Sequence, residues 1–123
     1  MYYLSVKKHF EAAHFLRGYK GKCENLHGHR YEVALKVRAN ELDECGMGAD
    51  FKVLKTRLGE VLQSYDHTCL NDLTPFDNQN PSAENISKDI YDKLKPVISR
   101  MGVELWGVEV WESPDSSVLY QPD

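Results

Sequence analysis

The stretch His27-Gly-His-Arg-Tyr-Glu-Val-Ala-Leu-Lys-Val-Arg38 decides how the chain folds, because its side chains alternate between apolar and polar. The apolar series consists of Tyr31, Val33, Leu35 and Val37, and the polar positions between them include Glu32, Lys36 and Arg38. Successive side chains of a strand point to opposite faces, so this spacing predicts a strand with one buried face. Counting back in twos from Tyr31 reaches His29 and then His27. The strand is therefore predicted to begin with two imidazoles on its buried face.

Residues 2–14 show the same alternation. The apolar positions are Tyr2, Leu4, Val6, Phe10 and Ala12, with Lys8 as the exception. His14 continues this series, whereas His9 falls on the opposite face. Residues 17–26, between the two strands, are polar and punctuated by glycine, which is typical of a loop. Three histidines are thus predicted to meet where neighbouring strands end.

The predicted cluster of His14, His27 and His29 has the composition of a catalytic zinc site. Three neutral imidazoles form a complete protein ligand set and leave one coordination position for substrate. A single histidine on an apolar face is more often a hydrogen-bonded core residue, but three would each need a separate buried partner. Cys23, in the intervening loop, leaves two alternatives open. Its thiolate could act as a base or nucleophile beside the metal, or it could close the site as a fourth ligand.

The middle of the chain predicts two helices. Asp50 is a suitable N-cap, and apolar residues at helical spacing follow it at Phe51, Leu54, Leu58, Val61, Leu62 and Tyr65. A loop covers about 66–81, and a second helix begins after Pro81-Ser82, with Pro96 expected to kink or loosen its last turns. Its buried stripe is Ile86, Ile90, Leu94, Val97, Ile98 and Met101.

Two further strands are predicted at 103–112 and about 116–121. The order β-β-α-α-β-β predicts an α+β fold, in which two helices cover one face of an antiparallel four-stranded sheet. Residues 1–123 form a single domain in this prediction.

Composition excludes several classes of function. The chain of 123 residues has a net charge of -4, which gives no general attraction to nucleic acid. The sequence has no apolar run long enough to cross a bilayer and no signal-peptide pattern at its start. Three cysteines are too few for a disulfide framework, and an odd number cannot all pair. A reducing cytoplasm is the expected compartment.

Three further groups of polar residues are candidates for chemistry. Asp66-His67 could form a carboxylate–imidazole pair that tunes the Cys23 thiol, although an aspartate at a helix end is commonly a cap or turn residue. Ser82 and Glu84 suit the first turn of a helix, but a carboxylate can also bind a guanidine-like edge in a bidentate pair. The third candidate, Glu112, shares the apolar face of its strand and therefore needs a partner.

Taken together, these residues resemble the 6-pyruvoyltetrahydropterin synthase family, and within it the bacterial 6-carboxytetrahydropterin synthase branch of the queuosine pathway. The matching segments, in family order, are Phe10-Glu-Ala-Ala-His14, Cys23 with His27-Gly-His29, Asp50-Phe51 with Leu54-Lys55, Asp66-His67 with Leu70-Asn71, Pro81-Ser-Ala-Glu-Asn85, and Trp111-Glu112-Ser113 with Tyr120. The resemblance runs essentially end to end, and the joint order and spacing of the segments make it specific.

The resemblance implies a tunnelling fold, in which subunits join their sheets into a barrel. It also implies a homohexamer of two stacked trimers with active sites between subunits. By the resemblance, the zinc ligands are His14, His27 and His29, the catalytic residues are Cys23, Asp66, His67 and Glu112, and the substrate-binding residues are Ser82 and Glu84. Cys23 would be the base of a triad with the Asp66-His67 pair of an adjacent subunit, and the substrate-binding residues would anchor the pterin ring.

The implied activity is that of a zinc-dependent lyase acting on 7,8-dihydroneopterin triphosphate. The products would be 6-carboxy-5,6,7,8-tetrahydropterin, acetaldehyde and triphosphate. Arg17, Lys20 and Lys22 are candidates for meeting the triphosphate, with a solvated loop as the equally favoured alternative. The three-residue gap between Cys23 and His27 resembles the queuosine branch. Formation of 6-pyruvoyltetrahydropterin, or a non-enzymatic pterin- or purine-binding domain with a structural zinc held by one cysteine and three histidines, are the alternatives.

Overall fold

A computed structural model describes residues 1–18, 21 and 25–123. Its strands are β1 (Tyr2–His14), β2 (His27–Ala39), β3 (Thr68–Cys69), β4 (Glu104–Ser113) and β5 (Ser116–Tyr120), and its helices are α1 (Phe51–Leu62) and α2 (Ala83–Ser99). A short 3-10 turn covers Leu70–Asp72. The four predicted strands and both predicted helices are present, and α2 continues through Pro96 to Ser99.

The prediction of a four-stranded antiparallel sheet was wrong. The described residues form one five-stranded sheet of mixed orientation, in the order β3-β1-β2-β4-β5. β1 pairs with β2, β2 with β4 and β4 with β5, all antiparallel, whereas the two residues of β3 run parallel to β1. β3 was not predicted because two residues are too few to show an alternating pattern. It forms because the turn after α1 is hydrogen-bonded to β1.

The hydrophobic core lies between the sheet and the two helices. Both helices pack on the same face, α1 against β1 and α2 against β4 and β5. Phe10 and Tyr31 stack at a centroid distance of 4.8 Å, and Tyr65 packs against Phe10 from the turn after α1. Caps fix where the helices begin, since Asp50 accepts the N–H of Lys52 and Ser82 accepts that of Asn85. Neither helix in the described ranges is long and apolar enough to span a membrane.

Candidate metal centre

Long antiparallel pairing brings the three histidines together. In the register of β1 and β2, His14 lies directly opposite His27, and Ala12 lies opposite His29. The ring centroids of His14 lie 4.6 Å from those of His27 and 5.2 Å from those of His29. β4 adds Glu112 to the same end of the sheet. We call His14, His27, His29 and Glu112 the histidine cluster; one ligand atom from each lies within 4.8 Å of all the others.

Backbone carbonyls fix two of the rings. Nδ1 of the fully buried His14 donates to the carbonyl of Pro81 at 2.7 Å, and Nδ1 of His27 donates to the carbonyl of Asn25 at 2.6 Å. A carbonyl can only accept, so each Nδ1 carries the proton in the neutral ring and each Nε2 carries a lone pair. These two Nε2 atoms face each other at 3.0 Å. Two lone pairs at that distance repel each other unless a proton or a cation lies between them.

The remaining two members also point to a cation. Nε2 of His29 is buried and lies 3.1 Å from Oε1 of Glu112, yet it forms no hydrogen bond within the described part of the chain. The same carboxylate oxygen lies 3.8 Å from Nε2 of His14. Imidazole nitrogens and a carboxylate oxygen are the ligands that zinc takes in catalytic sites. The donor set of the histidine cluster therefore fits a divalent metal ion.

Burial keeps His14 and His29 in the neutral form that can bind a metal. Desolvation lowers the pKa of His14, an effect that the hydrogen bond to Pro81 and the charge of Glu112 only partly oppose. Desolvation likewise lowers the pKa of His29, against the raising effect of Glu112. A lower imidazole pKa means that the neutral ring persists at lower pH, and only the neutral ring has a lone pair for a metal.

Asp66 and His67, which we call the dyad, are in contact. Oδ2 of Asp66 lies 2.9 Å from Nδ1 of His67. The turn that carries the dyad is bonded to β1, because Glu11 donates its N–H to Oδ1 of Asp66 at 2.9 Å and accepts the N–H of His67 at 2.6 Å. His67 has a φ of 58°, a left-handed backbone that is uncommon outside glycine. The Glu11 N–H, and then His67, lower the pKa of the Asp66 carboxyl, which stays ionised as an acceptor for the ring.

The dyad does not join the histidine cluster of its own chain. Nε2 of His67 lies 3.9 Å from Oε2 of Glu11, whose side chain points to the face of β1 opposite to His14. The His67 side chain is 76% exposed and borders an open groove of about 450 Å³. The imidazole of the dyad is therefore open to solvent.

The other predicted site residues have varied surroundings. Ser82 caps α2, which supports its structural role, and Glu84 is exposed in the first turn of the same helix. Arg17 donates to the carbonyls of Phe76 at 3.0 Å and Gln79 at 3.4 Å, so its guanidinium is already used in holding a loop. Lys20, Lys22 and Cys23 lie outside the described residues, so their predicted roles stay predictions.

Sequence reasoning missed the carbonyls of Asn25 and Pro81, which orient two of the rings. A main-chain carbonyl leaves no trace in residue type, because every residue has one. A weak signal existed in three asparagines of the loop before α2 and of its first turn. Asn71 and Asn80 bond to the backbone of Phe15 and Arg17, and Asn85 bonds to the carbonyl of Asn80.

Comparison with known proteins identifies relatives across the whole chain. The sequence profile of the family described as 6-pyruvoyl tetrahydropterin synthase matches residues 3–123. A 6-carboxy-5,6,7,8-tetrahydropterin synthase of Bacillus subtilis is 36% identical over 126 residues, covering 97% of this chain and 84% of the relative. A Synechocystis protein of the same name is 38% identical over 117 residues, covering 90% and 86%.

Solved structures show the same fold. The structure of Caenorhabditis elegans 6-pyruvoyl tetrahydropterin synthase matches with a TM-score of 0.87 and 32% identity, covering 99% of this chain and 96% of that chain. The Plasmodium falciparum enzyme of the same name matches with a TM-score of 0.76, and at 23% identity this likeness concerns the fold alone. The tunnelling fold implied by the resemblance is confirmed at the level of the subunit.

Proposed function

This chain belongs to the 6-pyruvoyl tetrahydropterin synthase family, and from that premise we propose that it acts as a 6-carboxy-5,6,7,8-tetrahydropterin synthase. It is a pterin-processing enzyme, and the proposed reaction is the zinc-dependent conversion of 7,8-dihydroneopterin triphosphate, with release of acetaldehyde and triphosphate, in queuosine biosynthesis. The observation that carries the metal-dependent part is the pair of unprotonated Nε2 atoms of His14 and His27, 3.0 Å apart. The names of the Bacillus and Synechocystis relatives support the choice of branch.

Zinc is the proposed metal because the cluster offers three neutral imidazoles. When bound, such an ion polarises a hydroxyl or carbonyl of the substrate. His14, His27 and His29 would hold it, and the carbonyl partners of His14 and His27 keep the Nε2 lone pairs of these two rings turned inward. Glu112, with a half-buried carboxylate 3.1 Å from His29 Nε2, would accept or return a proton beside the ion.

Proton transfer at the side chain of the substrate is assigned to Cys23 with the dyad. Asp66 is held ionised by the N–H of Glu11, so it fixes the Nδ1–H tautomer of His67 and leaves Nε2 free to exchange a proton. Cys23 would be the base in this relay. Glu84 would bind the guanidine-like edge of the pterin ring, next to Ser82 at the beginning of α2.

An oligomer supplies the geometry that one chain lacks. The dyad and the histidine cluster face opposite sides of β1, so a complete site needs the dyad of a second subunit. Since β5 is the last strand of the described sheet, one of its edges is available to a partner strand. We propose a homohexamer of two stacked trimers, with a pterin triphosphate as the small-molecule partner. Cys45 and Cys69 are free thiols, which supports a reducing, cytoplasmic setting.

Product analysis tests the reaction. Zinc-loaded protein incubated with 7,8-dihydroneopterin triphosphate should yield acetaldehyde and a carboxypterin, identified by mass spectrometry. A 6-pyruvoyl product would instead favour the second candidate activity, which the likeness to the Caenorhabditis elegans enzyme supports. Absence of any turnover would remove both.

The role of Cys23 separates an enzyme from a binding domain. If Cys23→Ala keeps its zinc but loses turnover, the thiol is catalytic. If the same variant loses zinc and unfolds, the thiol closes a structural site with the three histidines, and the protein is a pterin- or purine-binding domain. Cys45→Ala is the matched control, because Cys45 is an exposed free thiol.

A further inference from the structure

A loop, and not a neighbouring strand, orients the buried His14 ring. The 2.7 Å bond from Nδ1 ends on the carbonyl of Pro81, which immediately precedes the cap of α2. The direction of this one carbonyl therefore determines where Nε2 of His14 points. Whatever holds the peptide group of Pro81 in place also holds a ligand of the histidine cluster.

Asn85 holds Pro81 from both sides. Its side-chain amide donates to the carbonyl of Asn80 at 2.8 Å, and its backbone N–H donates to the hydroxyl of Ser82 at 3.2 Å. The residues before and after Pro81 are thus bonded to a single residue in the first turn of a long helix. These two bonds restrain the residues on either side of the Pro81 carbonyl that accepts from His14.

Asn80 bonds the same loop to the chain beyond His14. Its Oδ1 accepts the N–H of Arg17 at 2.8 Å, and its Nδ2 donates to the carbonyl of Arg17 at 2.9 Å. Asn71 makes the same paired contact with Phe15, at 3.0 Å for each bond. The segment that follows His14 is therefore held at two points, and Asn85 holds the loop that meets it.

We propose that Asn85 is a positioning residue of the metal centre. Through the carbonyl of Asn80 and the hydroxyl of Ser82 it fixes the Pro81 carbonyl, which keeps His14 in its Nδ1–H tautomer with Nε2 directed into the histidine cluster. The inference rests on the proposed metal site and is independent of which pterin reaction the enzyme performs.

The chemistry of the contact requires an amide at position 85. The partner is a main-chain carbonyl, so the side chain must donate. An aspartate has the same shape but can only accept, and its charge would repel the carbonyl of Asn80. A carboxylate in the first turn of a helix is otherwise favourable. Asn85→Asp therefore removes the side-chain bond to the carbonyl of Asn80, keeps the backbone bond to Ser82, and does not penalise the helix.

The first measurement is metal affinity. Zinc and cobalt dissociation constants would be determined by competition with a chelator, and the visible absorption of the cobalt-loaded protein would report ligand geometry. We expect Asn85→Asp to weaken binding by about tenfold, the lower end of the effect of outer partners of metal ligands, and to alter the cobalt spectrum. Asn78→Asp is the matched control, because Asn78 is exposed in the same loop and the change in charge is identical.

The second measurement needs no metal and no turnover. Long-range 1H–15N spectra of the metal-free protein, recorded above the ordinary imidazole pKa, show which nitrogen of His14 carries the proton. We expect Nδ1–H alone in the wild type and in Asn78→Asp, and a mixture of tautomers in Asn85→Asp. Thermal unfolding of the metal-free variants would show whether their folds are intact.

The proposal would be overturned if Asn85→Asp kept both the metal affinity and the His14 tautomer of the wild type. An equal loss of metal affinity in Asn78→Asp would also overturn it. So would weaker metal binding in Asn85→Asp that came with a general loss of stability while the His14 tautomer stayed unchanged. A wild-type protein that binds neither metal would overturn the proposed metal centre. The tautomer of His14 in metal-free protein decides the role of Asn85 separately.

Discussion

The histidine cluster and the dyad both combine imidazole with carboxylate, yet they are built differently. The cluster stands at the ends of three long, paired strands, and its His14 is fully buried. The dyad stands on a turn at the edge of the sheet, with its imidazole 76% exposed. Burial and carbonyl contacts hold the cluster together within one chain, whereas the dyad is held by contacts with Glu11 and lies open to solvent. The difference supports the proposal that the metal binds within one subunit and that proton transfer uses the dyad of a second subunit.

The largest expected effect concerns that division between subunits. His67→Asn should reduce turnover about 10²–10⁴-fold, the usual contribution of a positioned acid or base. His27→Ala should also reduce turnover strongly, because it removes one ligand of the proposed metal and weakens metal binding. Oligomers refolded from a mixture of the two variants should regain activity, because some sites then combine an intact cluster with an intact dyad. Steady-state assays that compare the mixture with each variant alone measure the recovery of turnover.

A mixture of His27→Ala and His29→Ala is the control for complementation. Both substitutions damage the histidine cluster, so no combination of these subunits contains an intact one. Equal activity in the two mixtures, or no recovery in the first, would show that the dyad does not act across subunits.

The second prediction compares metal affinity in the two regions. Zinc sites with four protein ligands bind with about 10–16 kcal/mol, so one ligand is worth roughly 3 kcal/mol, or about a hundredfold in affinity. We expect His29→Ala to weaken zinc binding by about this factor and His67→Ala to leave it unchanged. Chelator competition measures both. A comparable loss in the two variants would mean that the dyad is itself a metal site.

The sequence predicted the histidine cluster because its geometry follows from strand parity. Once two strands alternate, the positions of His14, His27 and His29 are determined to within one face, and Glu112 follows from the same count. The dyad was predicted only as a pair of residue types. Whether the side chains of two adjacent residues are in contact depends on the backbone angles, which the sequence pattern does not give. The left-handed φ of His67 has no signal in residue type.

Two further features could not be predicted for related physical reasons. β3 has only two residues and forms through hydrogen bonds from the turn after α1 to Glu11, so periodicity cannot predict it. The carbonyls of Asn25 and Pro81 orient the rings, and any residue could provide a carbonyl. Local pattern therefore predicts which side chains meet, and tertiary contacts decide how they are oriented.

The third prediction concerns acid and the metal-free protein. Burial lowers the pKa of His14 and His29 below the ordinary value of 6.5, so below that pH the unfolded chain takes up protons first. The free energy of unfolding should therefore begin to fall as the pH drops below 6.5. The contribution of Asp66 is full above its ordinary pKa of 3.8 and is lost only as the pH falls through its lowered pKa.

Urea unfolding of chelator-treated protein over a series of pH values measures the loss of stability in both pH ranges, the upper one below pH 6.5 and the lower one below pH 3.8. The fall in the free energy of unfolding in the upper pH range should be smaller in His29→Gln and unchanged in Asp66→Asn. Asp66→Asn should change only the fall in the lower pH range. A wild-type stability that stays constant down to pH 3.8 would contradict the assignment to buried imidazoles.

The smallest expected effect tests whether the dyad is held in an unfavourable backbone for the sake of its chemistry. A left-handed conformation costs an L-residue roughly 1–2 kcal/mol, and glycine avoids that cost while losing more backbone entropy on folding. His67→Gly should therefore leave the free energy of unfolding unchanged or raise it by up to about 1 kcal/mol, although turnover is lost. His9→Gly makes the same change in the middle of β1, at another exposed histidine, and should lower stability by roughly 0.5–1 kcal/mol. If His67→Gly were the more destabilised of the two, the turn would be held by the imidazole itself, and the dyad would be a structural contact like those that orient the histidine cluster.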